Sequence, residues 1–209
     1  MMQSTLFETP SGDPTLHILS KDGSAHYYPK VFAEQMATEF MIQLQASLKW
    51  EPEQLMMFGK LVTTRRKVAW VGDLKCSYTY SGIKKIPQNW TSELLFIKAQ
   101  LEEISQAEFN SCLLNLYHDG DDGMGWHSDD EKELDPASPI ASLSLGAQRK
   151  FAFRNKKDKE TLSLFLEHGS ALIMYPPTQE YWQHALLKTK TASDIRLNLT
   201  FRKINTRDE

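Results

Sequence analysis

The sequence predicts an α+β protein that is mainly β, with N-terminal helices and hairpins leading into a C-terminal β-sandwich, jelly roll or barrel. Three observations predict it. Two stretches in the first half carry apolar residues at helical spacing. From residue 109 onward, short apolar or alternating runs are separated by turn residues. Between these regions, residues 67–82 read as a strand or hairpin. The 209 residues are enough for one domain with a sizeable core. The expected layout is a single domain over 1–209. Residues up to about 105 form helices and a lid, and residues from about 106 to 204 form the β core.

In chain order, residues 1–30 read as irregular, broken by Pro10, Gly12, Pro14, Gly23 and Pro29. Over 31–48, Phe32, Met36, Phe40, Leu44 and Leu48 recur every four residues and predict a helix. "KVAWVGD" and "SYTYSG" supply the hairpin of 67–82. A second helix is predicted over 92–105, with Thr91 as its N-cap. The strands of the second half are "FNSCLLNLY", "IASLSLG", "KFAFRN", "TLSLFLE", "SALIMY", "QHALL" and "IRLNLTFR". Gly146, Gly169 and the Pro176–Pro177 pair punctuate them.

Composition narrows the function classes. The formal net charge of −3 excludes nucleic-acid binding by bulk charge, so any such contact needs basic residues gathered on one face. No window approaches the roughly 18 apolar residues of a membrane span. The N-terminus shows neither the basic start nor the apolar run of a signal peptide. Cys76 and Cys112 are isolated, with no disulfide or zinc pattern. A reduced cytoplasmic protein is expected, or a nuclear one if the source is eukaryotic.

The chemistry starts at "GMGWHSDDEKE", residues 123–133. In extended chain the side chains of His127 and Asp129 point the same way, which lets both ligate one ion. Alone, such a pair is unremarkable among six histidines and many acids, and reads as a solvated loop. A calcium loop fails here, because Gly123 stands at a ligand position and Met124 where the turn glycine belongs. A facial triad of two histidines and one carboxylate needs a second histidine. His184 lies near a strand start, and His168 precedes a likely exposed turn at Gly169. In "IRLNLTFR", Ile195, Leu197, Leu199 and Phe201 alternate with Arg196, Asn198, Thr200 and Arg202. The polar row is either a solvent face or a grip on carboxylates by two arginine forks. Asn115 and Tyr117 repeat the polar spacing in "LLNLYHDG".

Together, "NLYHDG…GWHSDDE", His184 and "RLNLTFR" resemble the AlkB family of iron(II)- and 2-oxoglutarate-dependent dioxygenases, over about residues 55–204. The resemblance implies a double-stranded β-helix, the jelly roll, with nucleotide-recognition hairpins. It implies Fe(II) held by His127, Asp129 and His184, with 2-oxoglutarate and O2 as co-substrates. Asn115, Tyr117 and Arg196 would grip the distal carboxylate of 2-oxoglutarate, and Asn198 and Arg202 its iron-chelating end. On the substrate side, Tyr78 and Tyr80 would stack on a flipped base opposite His127. Glu131 would face the base edge, Phe58 would fill the gap left by the flipped nucleotide, and Arg66 would contact a strand.

The implied activity is oxidative demethylation of N-alkylated bases, of the 1-methyladenine and 3-methylcytosine type, in damaged DNA. The methyl group leaves as formaldehyde. The same chemistry on RNA, on protein or on a small molecule is the alternative. A monomer with no membrane partner is expected.

Overall fold

The computed structural model describes residues 16–57, 60–76, 78–80 and 83–206; residues 55–57, 60–61, 78–80 and 83–85 are described by backbone only. Among the described residues, the first half holds β1 (Leu16–His17), β2 (Ser24–Tyr28), α1 (Glu34–Ser47), β3 (Glu51–Met57), β4 (Lys60–Gly72), β5 (Tyr78–Tyr80), β6 (Ile83–Lys85) and α2 (Ser92–Ser105). Then come β7 (Ser111–Tyr117), β8 (Met124–His127), β9 (Ile140–Gly146), β10 (Arg149–Asn155), β11 (Thr161–Leu166) and β12 (Ser170–Tyr175). A short α3 (Thr178–Tyr181), β13 (Trp182–Leu186) and β14 (Arg196–Arg202) follow.

The strands form an eight-stranded sheet in the order β1-β2-β12-β9-β14-β7-β4-β3 and a four-stranded sheet in the order β11-β10-β13-β8. β5 and β6 pair separately, with Tyr80 opposite Ile83. All pairings between these strands are antiparallel. This is the jelly roll. One core lies between the two sheets, where Tyr27, Leu172 and Met174 of the large sheet meet Phe151, Phe153, Trp182 and Leu186 of the small one. A second lies outside the large sheet, where α1 and α2 cover it through Leu44, Leu94, Ile97 and Leu101. Each of these four is fully buried, and each such burial contributes roughly 1.5–3 kcal/mol.

The two-sided cover decides what the strand faces mean. Leu197, Leu199 and Phe201 of β14, and Cys112, Leu114 and Leu116 of β7, pack in the core beneath the helices. Strand alternation then turns Arg196, Asn198, Thr200 and Arg202, with Asn115 and Tyr117, into the space between the sheets. The polar row is therefore an inner face, not a solvent face.

α2 spans 92–105 as expected, and Thr91 Oγ1 accepts from Leu94 N at 3.3 Å. Its C-cap is Gln106 in the left-handed region, φ 54°. α1 begins at Glu34 rather than at 31, because Val31 N and Phe32 N both donate to Gly169 O instead of entering the helix.

Residues 16–28 are not irregular, in contrast to the expectation: β1 and β2 form a hairpin, and β2 joins the large sheet against β12. The breakers bound these short strands rather than exclude them. The large sheet thus runs across the boundary near residue 105, with β1–β4 from the first half at its two edges. His168 is likewise not a solvated turn residue. Its Nδ1 accepts from Gly146 N at 2.7 Å and its Nε2 meets Thr38 Oγ1 at 3.1 Å, so it ties α1 to the end of β9. Gly146 itself has φ +89°, and a Cβ there would meet Ile195 O at 2.3 Å, so only glycine fits.

Candidate metal and co-substrate site

β8 and β13 pair so that His127 stands opposite His184, with ring centroids 4.3 Å apart. Asp129 follows two residues beyond the end of β8, and its Oδ1 lies 3.8 Å from His127 Nε2. One ligand atom from each of His127, Asp129 and His184 lies within 4.8 Å of the others. His127 Nδ1 meets the Gly125 carbonyl at 2.8 Å, so Nδ1 carries the proton and the Nε2 lone pair is free. His184 is buried and stacks on Phe151 at 5.3 Å. That burial pushes its imidazole down to about 4, against the pull of Asp129, so it is neutral and able to ligate at physiological pH. Asp129 is held from two sides: its N–H donates to Gln179 Oε1 at 2.9 Å, and Arg202 Nη2 donates to its Oδ1 at 2.7 Å. Burial alone would raise the carboxyl. Arg202 and the two histidines outweigh it and keep Asp129 below the usual carboxylate range.

Beside the triad, Asn115, Tyr117, Arg196, Asn198, Thr200 and Arg202 line one pocket with His127, Asp129 and His184. Arg196 is 1% exposed. It donates to Ser144 Oγ at 2.9 Å and Asn198 Oδ1 at 2.8 Å, and its Cζ lies 5.4 Å from the centre of the Tyr117 ring. Among the described residues it has no carboxylate partner. Burial lowers it to about 10, so it still carries its charge at neutral pH. The Nε atoms of Arg196 and Arg202 are both buried without a hydrogen-bond partner. A buried cation with spare donors and no anion is costly, and a carboxylate ligand removes that cost. Two imidazoles and a carboxylate suit a divalent metal such as iron(II). The residues present therefore fit both groups.

Sequence reasoning missed several residues of this site. Ser142 and Ser144 of β9 hydrogen-bond Asn198 and Arg196, and their i, i+2 spacing in "IASLSLG" is the signal already read at Asn115 and Tyr117. Gln179 carried no sequence signal. Neither did Arg149, which donates to the carbonyls of Asp119, Gly120, Asp122 and Leu187 and so anchors the acidic loop between β7 and β8. Asp122 in that loop accepts from His118 N, a structural use of an acid.

On the substrate side, Glu131 is half exposed beside the triad, with a carboxylate oxygen 3.7 Å from Arg202 Nη1. Tyr78 and Tyr80 lie on β5, and their side chains fall outside the described residues, as does Phe58. Arg66 corrects an expectation. A strand contact needs an exposed guanidinium, but Arg66 is 3% exposed and engages Glu53 and Asn115 inside the protein.

The jelly roll, the facial triad and the buried arginine pocket define the class as a metal-dependent oxygenase that uses a carboxylate co-substrate. The chain belongs to the 2OG-Fe(II) oxygenase superfamily, whose profile matches residues 24–202, and within it to the AlkB family. It is 38% identical over 208 residues to a Mus musculus protein named DNA oxidative demethylase ALKBH2, covering 93% of this chain and 87% of that one. It is 42% identical over 149 residues to alpha-ketoglutarate-dependent dioxygenase alkB homolog 3 of Bos taurus, covering 66% of this chain and 51% of that one. The solved structure of OsALKBH1 shares the fold, with a TM-score of 0.61 at 16% identity, covering 88% of this chain and 98% of that one.

Proposed function

We propose that the protein is an iron(II)- and 2-oxoglutarate-dependent dioxygenase that removes N-linked methyl groups from damaged DNA bases. The observation that carries the co-substrate is Arg196, a fully buried guanidinium in the pocket of the triad with no carboxylate partner among the described residues. The relatives named DNA oxidative demethylase ALKBH2 support the DNA substrate.

His127, Asp129 and His184 would hold the iron. Arg196, Asn115 and Tyr117 would take the distal carboxylate of 2-oxoglutarate, and Arg202 with Asn198 its other end. When bound, these groups and dioxygen supply the oxidation of an alkyl carbon, with succinate and carbon dioxide as co-products. The protein's share is positioning. Arg202 links Asp129 to the co-substrate side through a 2.7 Å hydrogen bond, so one guanidinium would position both the metal ligand and the carboxylate. Phe151 and Leu186 keep the inner wall apolar, which limits water around the reacting carbon. His127 is the open side of the triad, with its side chain 34% exposed against 4% for Asp129. Substrate therefore approaches across His127. A methylated 1-methyladenine or 3-methylcytosine is cationic, and Glu131, half exposed and 3.7 Å from Arg202 Nη1, would supply the matching charge. Tyr78 and Tyr80 would stack on the base, and Phe58 would occupy the gap it leaves.

The test is incubation with iron(II), 2-oxoglutarate and oligonucleotides bearing 1-methyladenine or 3-methylcytosine, as single- and double-stranded DNA and as RNA. Restored base and succinate are both measured. Restoration in DNA, coupled to succinate, is expected. Succinate released with no restored base in any oligonucleotide would move the substrate to protein or a small molecule.

A further inference from the structure

We propose that Arg66 is a positioning residue for the co-substrate: it fixes which way the Asn115 amide faces. The inference rests on the reading of Asn115 as a ligand of the distal carboxylate.

Asn115 is ambivalent by chemistry. Its side chain offers a carbonyl oxygen on one side and an amide donor on the other, and the two have nearly the same shape. Only the donor is useful to a carboxylate; the carbonyl would repel it. Arg66 removes the ambiguity. A guanidinium donates and never accepts, so the Asn115 atom that meets Arg66 Nη1 is Oδ1. The amide Nδ2 then faces away from Arg66, and Asn115 lines the pocket that holds Arg196 and Tyr117. Asn115 is 4% exposed, so water offers little help in settling its orientation.

The same guanidinium is held in place from the far side. Arg66 Nη2 pairs with Glu53 of β3, which offsets the buried charge. Arg66 Cζ lies 5.9 Å from the Tyr117 ring centre, and Arg196 Cζ 5.4 Å, so the phenol has two cations as neighbours. The chain Glu53–Arg66–Asn115 therefore runs from the β3–β4 hairpin into the co-substrate pocket. β4 is paired directly to β7 with Val68 opposite Asn115, so the geometry is set by the sheet and not by a loop.

The experiment is calorimetric titration of 2-oxoglutarate into protein loaded with Mn(II), which reads binding without turnover. Wild type, Asn115→Ala, Arg66→Met, Arg66→Lys and the double variant Asn115→Ala/Arg66→Met are compared, each with its melting temperature. Asn115→Ala and Arg66→Met are each expected to weaken binding by about tenfold, the scale of one hydrogen bond to a charged group. In the double variant, Arg66→Met should add almost nothing, because a residue that acts through Asn115 has nothing left to orient. A purely structural role would lower melting temperature alike in both backgrounds and carry its affinity loss, if any, into the double variant. Should Arg66→Met not fold, Arg66→Lys replaces it in the same cycle; a lysine donates from a single nitrogen and lacks the two-nitrogen fork by which Arg66 reaches Asn115 with Nη1 and Glu53 with Nη2. Unchanged affinity in a folded Arg66 variant overturns the inference, as does a loss that repeats in full on the Asn115→Ala background. Unchanged affinity in Asn115→Ala alone is a different failure: it removes Asn115 from the co-substrate grip and the inference with it.

Discussion

His184 and His168 have separate jobs, and alanine at each tells them apart. His184→Ala removes one of three metal ligands, so titration with Mn(II) or Co(II) should show binding lost or weakened by more than tenfold. His168→Ala should leave metal binding intact and lower the melting temperature, since it unties Thr38 and Gly146 N. The reverse pattern would show that His168 is the ligand. His184 also sets a pH dependence in the metal-free protein. The folded state keeps its imidazole neutral down to about 4, while the unfolded chain takes up the proton near 6.5. Between these values the unfolded state binds more protons, so this contribution to stability is full above pH 6.5 and is lost as pH falls toward 4. At pH 5 the loss is on the order of 2 kcal/mol. Urea midpoints at pH 7 and pH 5 should differ less in His184→Gln than in wild type; equal differences would refute this. Arg196→Lys replaces a fork by a point charge, and the apparent affinity for 2-oxoglutarate should fall by about tenfold. An unchanged value would mean that the carboxylate is gripped elsewhere.

Among the elements, α2 and the loop after β8 show how local sequence becomes site geometry. α2 covers the apolar side of the large sheet, and that cover is what turns the polar side of β14 inward. Thr91 caps it with a long hydrogen bond of 3.3 Å. Thr91→Ala should therefore cost at the low side of the usual capping range, about 0.5–1 kcal/mol. Melting temperature should fall by a few degrees, with affinity for metal and 2-oxoglutarate unchanged. A change in either affinity would show that the helix position feeds directly into the pocket. The loop after β8 has no regular structure at Asp129, yet Gln179 and Arg202 hold that residue from α3 and β14. A carboxylate fixed by two distant elements can be a metal ligand even outside a strand.

For the whole molecule, the substrate matters as a duplex or a single strand, and the triad meets solvent at His127, whose side chain is 34% exposed. A base flipped from a duplex costs a few kcal/mol of stacking and pairing, which an apolar side chain inserted into the gap partly restores. Phe58 would supply that side chain from between β3 and β4. Phe58→Ala should reduce demethylation of a methylated duplex by several-fold and largely spare the same lesion in a single strand. Equal loss on both, with a lower melting temperature, would make Phe58 a packing residue. No demethylation of duplex by wild type would make single strands the substrate.

Much of this architecture was legible one residue at a time. Four-residue periodicity marked α1, Thr91 marked the start of α2, and short runs set off by turn residues marked β7, β9, β10, β11, β12, β13 and β14, because these signals lie within each segment and its immediate flanks. β2 and β8 were not legible: five and four residues long, they are strands only because β12 and β13 offer them partners. The sequence by itself determined which residue types were available, namely two histidines, a carboxylate and a row of polar side chains at strand spacing. The family resemblance pointed to His184 over His168, but residue spacing did not, and it is the pairing of β13 with β8 that brings His184 to His127. Only the tertiary structure decided that the polar row of β14 is buried, since two helices cover the other face. And it turned Arg66 from a surface cation into an internal one, because its neighbours Glu53 and Asn115 lie 13 and 49 residues away in the chain. Local periods are written in neighbouring residues; burial and side-chain partnership are set by segments that meet only when the sheets close.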